Sequence, residues 1–292
     1  MKATRAKKET KAKRTVFGAP EKVGKKTPVR PYRQIIVDSN DPGYTNRVLV
    51  ATPSTGVIRM EWATARWGQI IPMNWSQVQM IQFMNSFAPL RFIVPDAQNL
   101  IVKEVVEKDY EWLILVEHDN VLAPDTFVRF NKYMREEKVP VVSGLYFSRS
   151  EPSEPLVFRG RGTSVYWNWK FGDEVWCDGV PTGCLLVHGG LLRAMWKESE
   201  EYVVNGIKTR RVFENPAKTW FDPNTNQFNT LAGTTDLEWC TRIIKGGFFK
   251  KSGWKEFEHK KYPFLVDTKI FCKHIDPNGR IYPPDEILKS SK

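Results

Sequence analysis

The sequence predicts an α/β protein built on a mainly parallel, doubly wound sheet with helices on its faces. Three observations predict it. Apolar runs of strand length alternate with helix-like segments across residues 46–148, the order a parallel sheet needs because each parallel pair is joined by a crossover. The runs are continuous rather than alternating, which suits strands buried on both faces. The sharpest of them, Trp112-Leu113-Ile114-Leu115-Val116, ends abruptly in Glu117-His118-Asp119-Asn120. Ligands of open α/β sheets bind just beyond such strand ends.

Taken in order, the chain begins with a charge anomaly. Residues 1–33 hold twelve of the 44 Lys and Arg against Glu9 and Glu21, so this stretch carries +10 of the formal +11 and the remainder is near neutral. With almost no large apolar residue it cannot offset the entropy of ordering, and it reads as a disordered basic arm preceding one folded unit, 34–292. Such an arm either solubilises the protein or holds it near a polyanion such as nucleic acid through salt-sensitive contacts. The first strand is expected at Arg47–Ala51, running into Thr52-Pro53-Ser54-Thr55-Gly56. Ser76 suits the N-cap of a helix over 76–88, and Leu90–Val94 reads as a second strand closed by Pro95-Asp96. A helix follows over 97–108, then the strand at 112–116, a helix from Pro124-Asp125 to about Glu137, and a fourth strand within 139–147.

The second half is less regular and predicts a smaller antiparallel, loop-rich part. Pro155–Phe158 and the Trp-rich stretch Tyr166–Trp176 suit short antiparallel strands. Val180-Pro181-Thr182-Gly183 leads into the strand Cys184–Val187 and a helix to Trp196. Residues 199–233 read as a long polar loop, 234–246 as a helix, and Phe264–Val266 as the last strand, leading to His274.

Composition excludes some classes. No run approaches the ~18 apolar residues of a membrane span, and no apolar segment near the N-terminus suits a secretory signal. The four cysteines form no C-x-x-C pair; they read as reduced thiols of a cytoplasmic protein.

The candidate chemistry lies at the strand ends. On an extended chain Glu117 and Asp119 point the same way and His118 the other. A turn after His118 brings Asp119 within reach of a divalent ion that also touches a diphosphate, a type of site needing only one or two protein carboxylates. The same acidic turn equally suits a solvated cap for the helix at 124. Thr52, Pro53, Asp96 and Asn99 fall at the ends of the first two expected strands, on the same edge. Asp236 stands at a helix start, as an N-cap or a working carboxylate, and His274 follows the last strand. Arg59 and Trp62 suit either donor contacts or packing. Tyr166, Trp167, Trp169 and Trp176 suit either a hairpin face or a stacking surface.

In their order and spacing these segments resemble a known family. They are Ala97-Gln98-Asn99 to Val102, Trp112–Asn120 with Pro124-Asp125-Thr126, Val142–Tyr146, Asp178–Gly183, Thr235–Cys240 and Lys273-His274-Ile275. Together they resemble the donor-site half of glycosyltransferase family 2-like enzymes with the GT-A fold, over about residues 46–282. The resemblance implies a Mn²⁺- or Mg²⁺-dependent inverting transferase acting on a nucleotide diphosphate sugar, with a UDP-linked donor. It implies Asp119 and His274 as metal ligands with Glu117 in support, Asp236 as the base, and Thr52, Pro53, Asp96 and Asn99 as donor contacts. Three departures stand out: Glu-His-Asp replaces the commoner Asp-x-Asp, Gln98 stands where many members carry Arg, and Thr235 where many carry Glu. No motif names the acceptor; nucleic acid is open through the basic arm. Two other classes fit the same residues, a non-catalytic nucleic-acid-binding protein and a nucleotidyltransferase.

Overall fold

In the computed structural model of the protein, residues 47–72, 84–160 and 165–284 are described. The expected basic arm and most of the expected helix over 76–88 lie outside them. Strands β1 (Val48–Ala51) and β2 (Met84–Phe87) flank a helix, α1 (Met60–Trp67). There follow α2 (Val94–Glu107), β3 (Trp112–Val116), β4 (Asn120–Val121), α3 (Thr126–Glu136) and β5 (Val141–Leu145). The second half contributes β6 (Glu174–Cys177), β7 (Cys184–His188), α4 (Gly189–Glu198), two hairpins, α5 (Thr235–Lys245) and β12 (Phe264–Phe271). The hairpins are β8 (Glu201–Val204) with β9 (Ile207–Arg210), and β10 (Ala217–Asp222) with β11 (Gln227–Ala232). Strands β13 (Lys273–Ile275) and β14 (Ile281–Tyr282) close the described chain.

The main sheet has seven strands in the order β2-β1-β3-β7-β5-β12-β6. Strands β1, β2, β3, β5 and β12 share one direction, while β7 and β6 run against it. Because side chains alternate across a strand, each apolar run feeds two cores. Leu49, Leu113, Leu115 and Leu185 pack with Ile101 and Val105 of α2, Leu191 of α4 and Trp239 of α5. Val48, Val50, Ile114, Val116 and Leu186 pack with Trp62 of α1 and Phe127, Phe130 and Met134 of α3. Burial on both faces is why the strand sequences are continuous in apolar residues. No helix among the described residues is long and apolar enough to cross a membrane.

Two expectations are corrected, and the direction of one strand is added. The edge strand beside β1 is Met84–Phe87 rather than 90–94. The latter segment is apolar but exposed, and Pro95 sits in the first turn of α2, where its missing N–H costs nothing. Strand β7 enters the sheet antiparallel, between β3 and β5. The expected loop over 199–233 consists largely of two hairpins.

The antiparallel β7 has a direct consequence for the site. Parallel strands present their carboxyl ends at one edge, and an antiparallel neighbour presents its start there. Val116 is opposite Cys184, so Pro181-Thr182-Gly183 arrives beside Glu117, whose N–H bonds to the Gly183 carbonyl at 2.9 Å. A side chain at 183 has no room, since a Cβ would lie 2.3 Å from Asn120 Nδ2 and 2.6 Å from Tyr146 Oη. Beyond β12 the chain crosses the same edge, and β13 pairs with β4 so that His274 faces Asn120.

Candidate functional site

At this edge the structure brings Glu117, Asp119 and His274 together. One ligand-type atom of each lies within 4.8 Å of the other two. The strand end supplies the carboxylates: the turn after β3 is closed by Asn120 N–H to Glu117 O at 3.1 Å. The indole of Trp62 donates to the same carbonyl at 2.8 Å, which fixes the turn from the α1 side. The imidazole comes from β13, over a hundred residues later, and Ile275 N–H to Asp119 O at 2.8 Å joins the two segments.

The hydrogen bonding selects the form of His274. Its Nδ1 lies 2.6 Å from the Phe147 carbonyl, which only accepts, so Nδ1 carries the proton and Nε2 keeps its lone pair. Nε2 stands 3.9 Å from Asp119 Oδ1. Burial holds the imidazole below its usual pKa despite the opposing influence of Asp119, so it stays neutral at neutral pH, the form that binds metal. A ring proton fixed by a backbone carbonyl is the common outer support of a metal-binding histidine.

Asp119 is unsatisfied on one side. Its Oδ1 is buried without a hydrogen-bond partner among the described residues, while Oδ2 pairs with Arg149 Nη1 at 3.0 Å. Burial, then Asp236 and Asp119, push the Glu117 carboxyl well above its usual pKa; Arg149 and a hydrogen bond with Thr182 offset part of this. Ionised together, these carboxylates would carry more negative charge than Arg149 neutralises. An orphaned buried oxygen, a neutral imidazole and two crowded carboxylates are a donor set that fits a hard divalent cation.

Asp236 opens α5 in the same cluster. Its Oδ1 accepts from Thr182 Oγ1 at 2.8 Å and from Thr235 Oγ1 at 3.0 Å. Burial raises its pKa, and the hydroxyl and backbone donors pull it back. Gln98, 1 % exposed, donates from Nε2 to Thr182 Oγ1 at 3.1 Å. The side chain standing where many members of the resembled family carry Arg thus orients Thr182, which in turn orients Asp236. The Thr235 departure supplies a second donor to the same oxygen. A cavity of about 550 Å³, lined in part by Pro216, Gly233, Thr234, Leu237 and Glu238, opens beside this helix start.

The other expected donor residues divide. Thr52 and Pro53 are buried at the end of β1, with Thr52 N–H bonded to Phe87 O at 3.0 Å. Asp96 and Asn99 sit in the first turns of α2, not at a strand end. Asn99 is 1 % exposed, and its amide bonds Phe213 O (2.9 Å), Phe213 N (2.8 Å) and Tyr202 Oη (3.0 Å). Asp96 accepts from Tyr202 Oη at 2.7 Å. Both side chains fasten the β8–β9 region to α2. Arg59 pairs with Glu61 at 2.9 Å and bonds Pro277 O at 3.0 Å. Sequence reasoning assigned no role to Thr182, Tyr146 or Arg149. Tyr146 accepts from Gly183 N–H at 2.7 Å and packs its ring edge-on to His274, centroids 4.8 Å apart.

No protein-family model and no curated protein matches the chain. Among solved structures, the chain is similar to A197 from STIV at 15% identity, covering 80% of this chain and 92% of that one with a TM-score of 0.46. It is also similar to S. aureus TarS 1-349, in complex with UDP (12% identity, 50% of this chain, 48% of that one, TM-score 0.31). A further TarS 1-349 structure gives 11% identity over 50% of this chain and 48% of that one, TM-score 0.30.

Proposed function

We propose that the protein is a nucleotide-sugar-dependent transferase, and within that class a metal-dependent inverting glycosyltransferase of the GT-A kind, with a UDP-linked sugar as donor. The observation that carries this reading is the meeting of Glu117, Asp119 and His274 at the carboxyl edge of the sheet, with Asp236 in the same cluster on a separate element. Glu117, Asp119 and His274 would hold Mn²⁺ or Mg²⁺. When bound, the ion supplies Lewis-acid neutralisation of the leaving diphosphate.

The remaining chemistry belongs to the chain. Asp236 takes the acceptor hydroxyl's proton as the new bond forms at the anomeric carbon and the bond to the diphosphate oxygen breaks. One displacement with one base inverts that centre. Thr182 and Thr235 fix the carboxylate through Oδ1, and its raised pKa brings it closer to the range where a general base works best. The acceptor would enter from the cavity beside α5, which is lined by Thr234, Leu237 and Glu238, the neighbours of Asp236.

The test is hydrolysis of UDP-sugars in the presence of Mn²⁺. Turnover that requires the metal and disappears in Asp119→Ala supports the reading. Metal-independent turnover that survives in Asp119→Ala overturns it, and release of inorganic diphosphate from a nucleoside triphosphate and a sugar phosphate identifies a nucleotidyltransferase instead.

A further inference from the structure

The loop after β5 carries a cation with no part in the mechanism above. Residues 148–154 form a self-bonded turn: Ser148 N–H to Glu154 O at 2.8 Å, Glu154 N–H to Ser148 Oγ at 3.0 Å, and Ser153 Oγ to Ser148 O at 2.6 Å. An ion pair between Arg280 and Glu151 ties the turn to the segment after β13. The turn presents Arg149 to Asp119, Nη1 to Oδ2 at 3.0 Å, with the arginine side chain 45% exposed and the aspartate side chain 17%. The guanidinium also acts electrostatically on Glu117 and His274. It therefore contacts one candidate ligand and lies close enough to influence the other two.

We propose that Arg149 is an exchangeable counter-ion: it neutralises Asp119 before metal and donor bind, and then turns to the diphosphate of the bound nucleotide. The proposal rests on the metal-dependent reading above. Three properties support it. A guanidinium and a divalent cation on one carboxylate repel, so the metal's arrival favours release of Arg149. The planar fork of a guanidinium matches phosphate oxygens in two parallel hydrogen bonds, so a diphosphate brought to the same carboxylate is a better partner than the carboxylate it leaves. The side chain is half in solvent while its backbone is held by the serine turn, so it can change partner without refolding the loop.

The experiment measures binding rather than turnover. Mn²⁺ alone is titrated into wild type, Arg149→Ala, Arg149→Lys and Asp119→Asn by calorimetry. UDP, and inorganic diphosphate as a probe without a base, are then titrated at saturating Mn²⁺. Arg149→Ala is expected to bind Mn²⁺ about 3–10-fold more tightly, because a competing cation is gone. It should bind UDP and diphosphate about 10–100-fold more weakly, the worth of a charge-assisted bidentate contact. Arg149→Lys should recover the Mn²⁺ competition but only part of the diphosphate affinity.

Tighter Mn²⁺ binding with unchanged UDP and diphosphate affinity overturns the exchange and leaves Arg149 a simple neutraliser. Weaker Mn²⁺ binding in Arg149→Ala overturns it too, marking Arg149 as a support of the ligand geometry. If wild type and Asp119→Asn are alike in not binding Mn²⁺, the metal reading fails and the exchange fails with it. If wild type binds Mn²⁺ and Asp119→Asn does not, failure of the Arg149 arms counts against the exchange alone.

Discussion

The turn Glu117–Asn120 and the helix start Thr234–Glu238 each bring an aspartate to the same site, and their surroundings differ in kind. Among the described residues, Asp119 has one buried oxygen without a partner and the other paired with a half-exposed arginine. Asp236 has two hydroxyls on one oxygen, one of them held in turn by a buried glutamine. The first arrangement calls for an added cation. The second fixes a carboxylate in direction and tempers its charge while leaving it ionisable. Under the proposed function, identical side chains would take ligand and base roles according to what else is packed around them.

The comparison breaks most sharply at Asp236. Asp236→Asn removes the proton acceptor and keeps the shape. We expect turnover to fall by about 10²–10⁴-fold while Mn²⁺ and UDP affinities stay within about 2-fold, because the donor half is unaltered. Single-turnover kinetics beside calorimetry check this; a loss of donor affinity matching the loss of turnover would move Asp236 to the donor side.

Asp119→Asn tests the other half. The Mn²⁺ affinity is expected to drop by about 10²-fold, at the upper end of what even supporting residues of a metal site contribute. Asp236 keeps its hydroxyl partners in this variant, so the acid limb of any residual pH–rate profile should shift only slightly. Parallel calorimetry and pH profiles separate the two aspartates, and equal effects of both substitutions on metal affinity would erase the distinction drawn between them.

How much of this was legible in the sequence differs between the same regions. The strand Trp112–Val116 and its polar end were readable because burial on both faces imposes an unbroken apolar run. The helices carrying Asn99 and Asp236 were placed to within a few residues. The meeting of Asp119, Asp236 and His274 was not readable from residue pattern alone; it depends on strand order, and the resemblance to a known family supplied it. Thr182 stood in plain view before an apolar strand, but its role depends on β7 running antiparallel, and Cys184–His188 would look the same in either direction. The β8–β9 hairpin carries a local signal, Asn205-Gly206 between Val204 and Ile207, both turn residues at positive φ of 48° and 79°, the favoured two-residue turn. Strand β2 had no such signal, since Met-Asn-Ser-Phe is neither apolar nor alternating.

Thr182→Val sharpens the comparison by an intermediate step. It removes a donor from Asp236 and leaves the buried Gln98 amide without its acceptor, at a cost of about 1–3 kcal/mol in stability. The Thr182 hydrogen bond holds the Asp236 pKa down, so its loss raises that pKa and moves the acid limb of the rate profile upward. Turnover at neutral pH should fall about 10-fold, corresponding to ~1.4 kcal/mol, with Mn²⁺ affinity little changed. An acid limb that stays in place would show that Thr182 holds the backbone and not the carboxylate.

The smallest expected effect concerns Glu117, and its sign depends on the metal. Burial and the neighbouring carboxylates raise its pKa in the folded protein. A raised carboxyl binds more protons folded than unfolded, so without metal the protein loses stability as pH rises from about 4, the unfolded value, toward the folded pKa. Glu117→Gln removes that loss. In the presence of a chelator the variant should therefore match wild type near pH 4 and exceed it at pH 7–8, by about 2–4 °C in Tm if the relief is about 1 kcal/mol. With saturating Mn²⁺ the order should reverse at pH 7–8, because ligand binding to the folded state stabilises by mass action and wild type binds the ion more tightly. Thermal melts at both pH values, with chelator and with Mn²⁺, measure both signs. A variant more stable than wild type under all conditions would remove Glu117 from the ligand set and leave Asp119 and His274 to hold the ion alone.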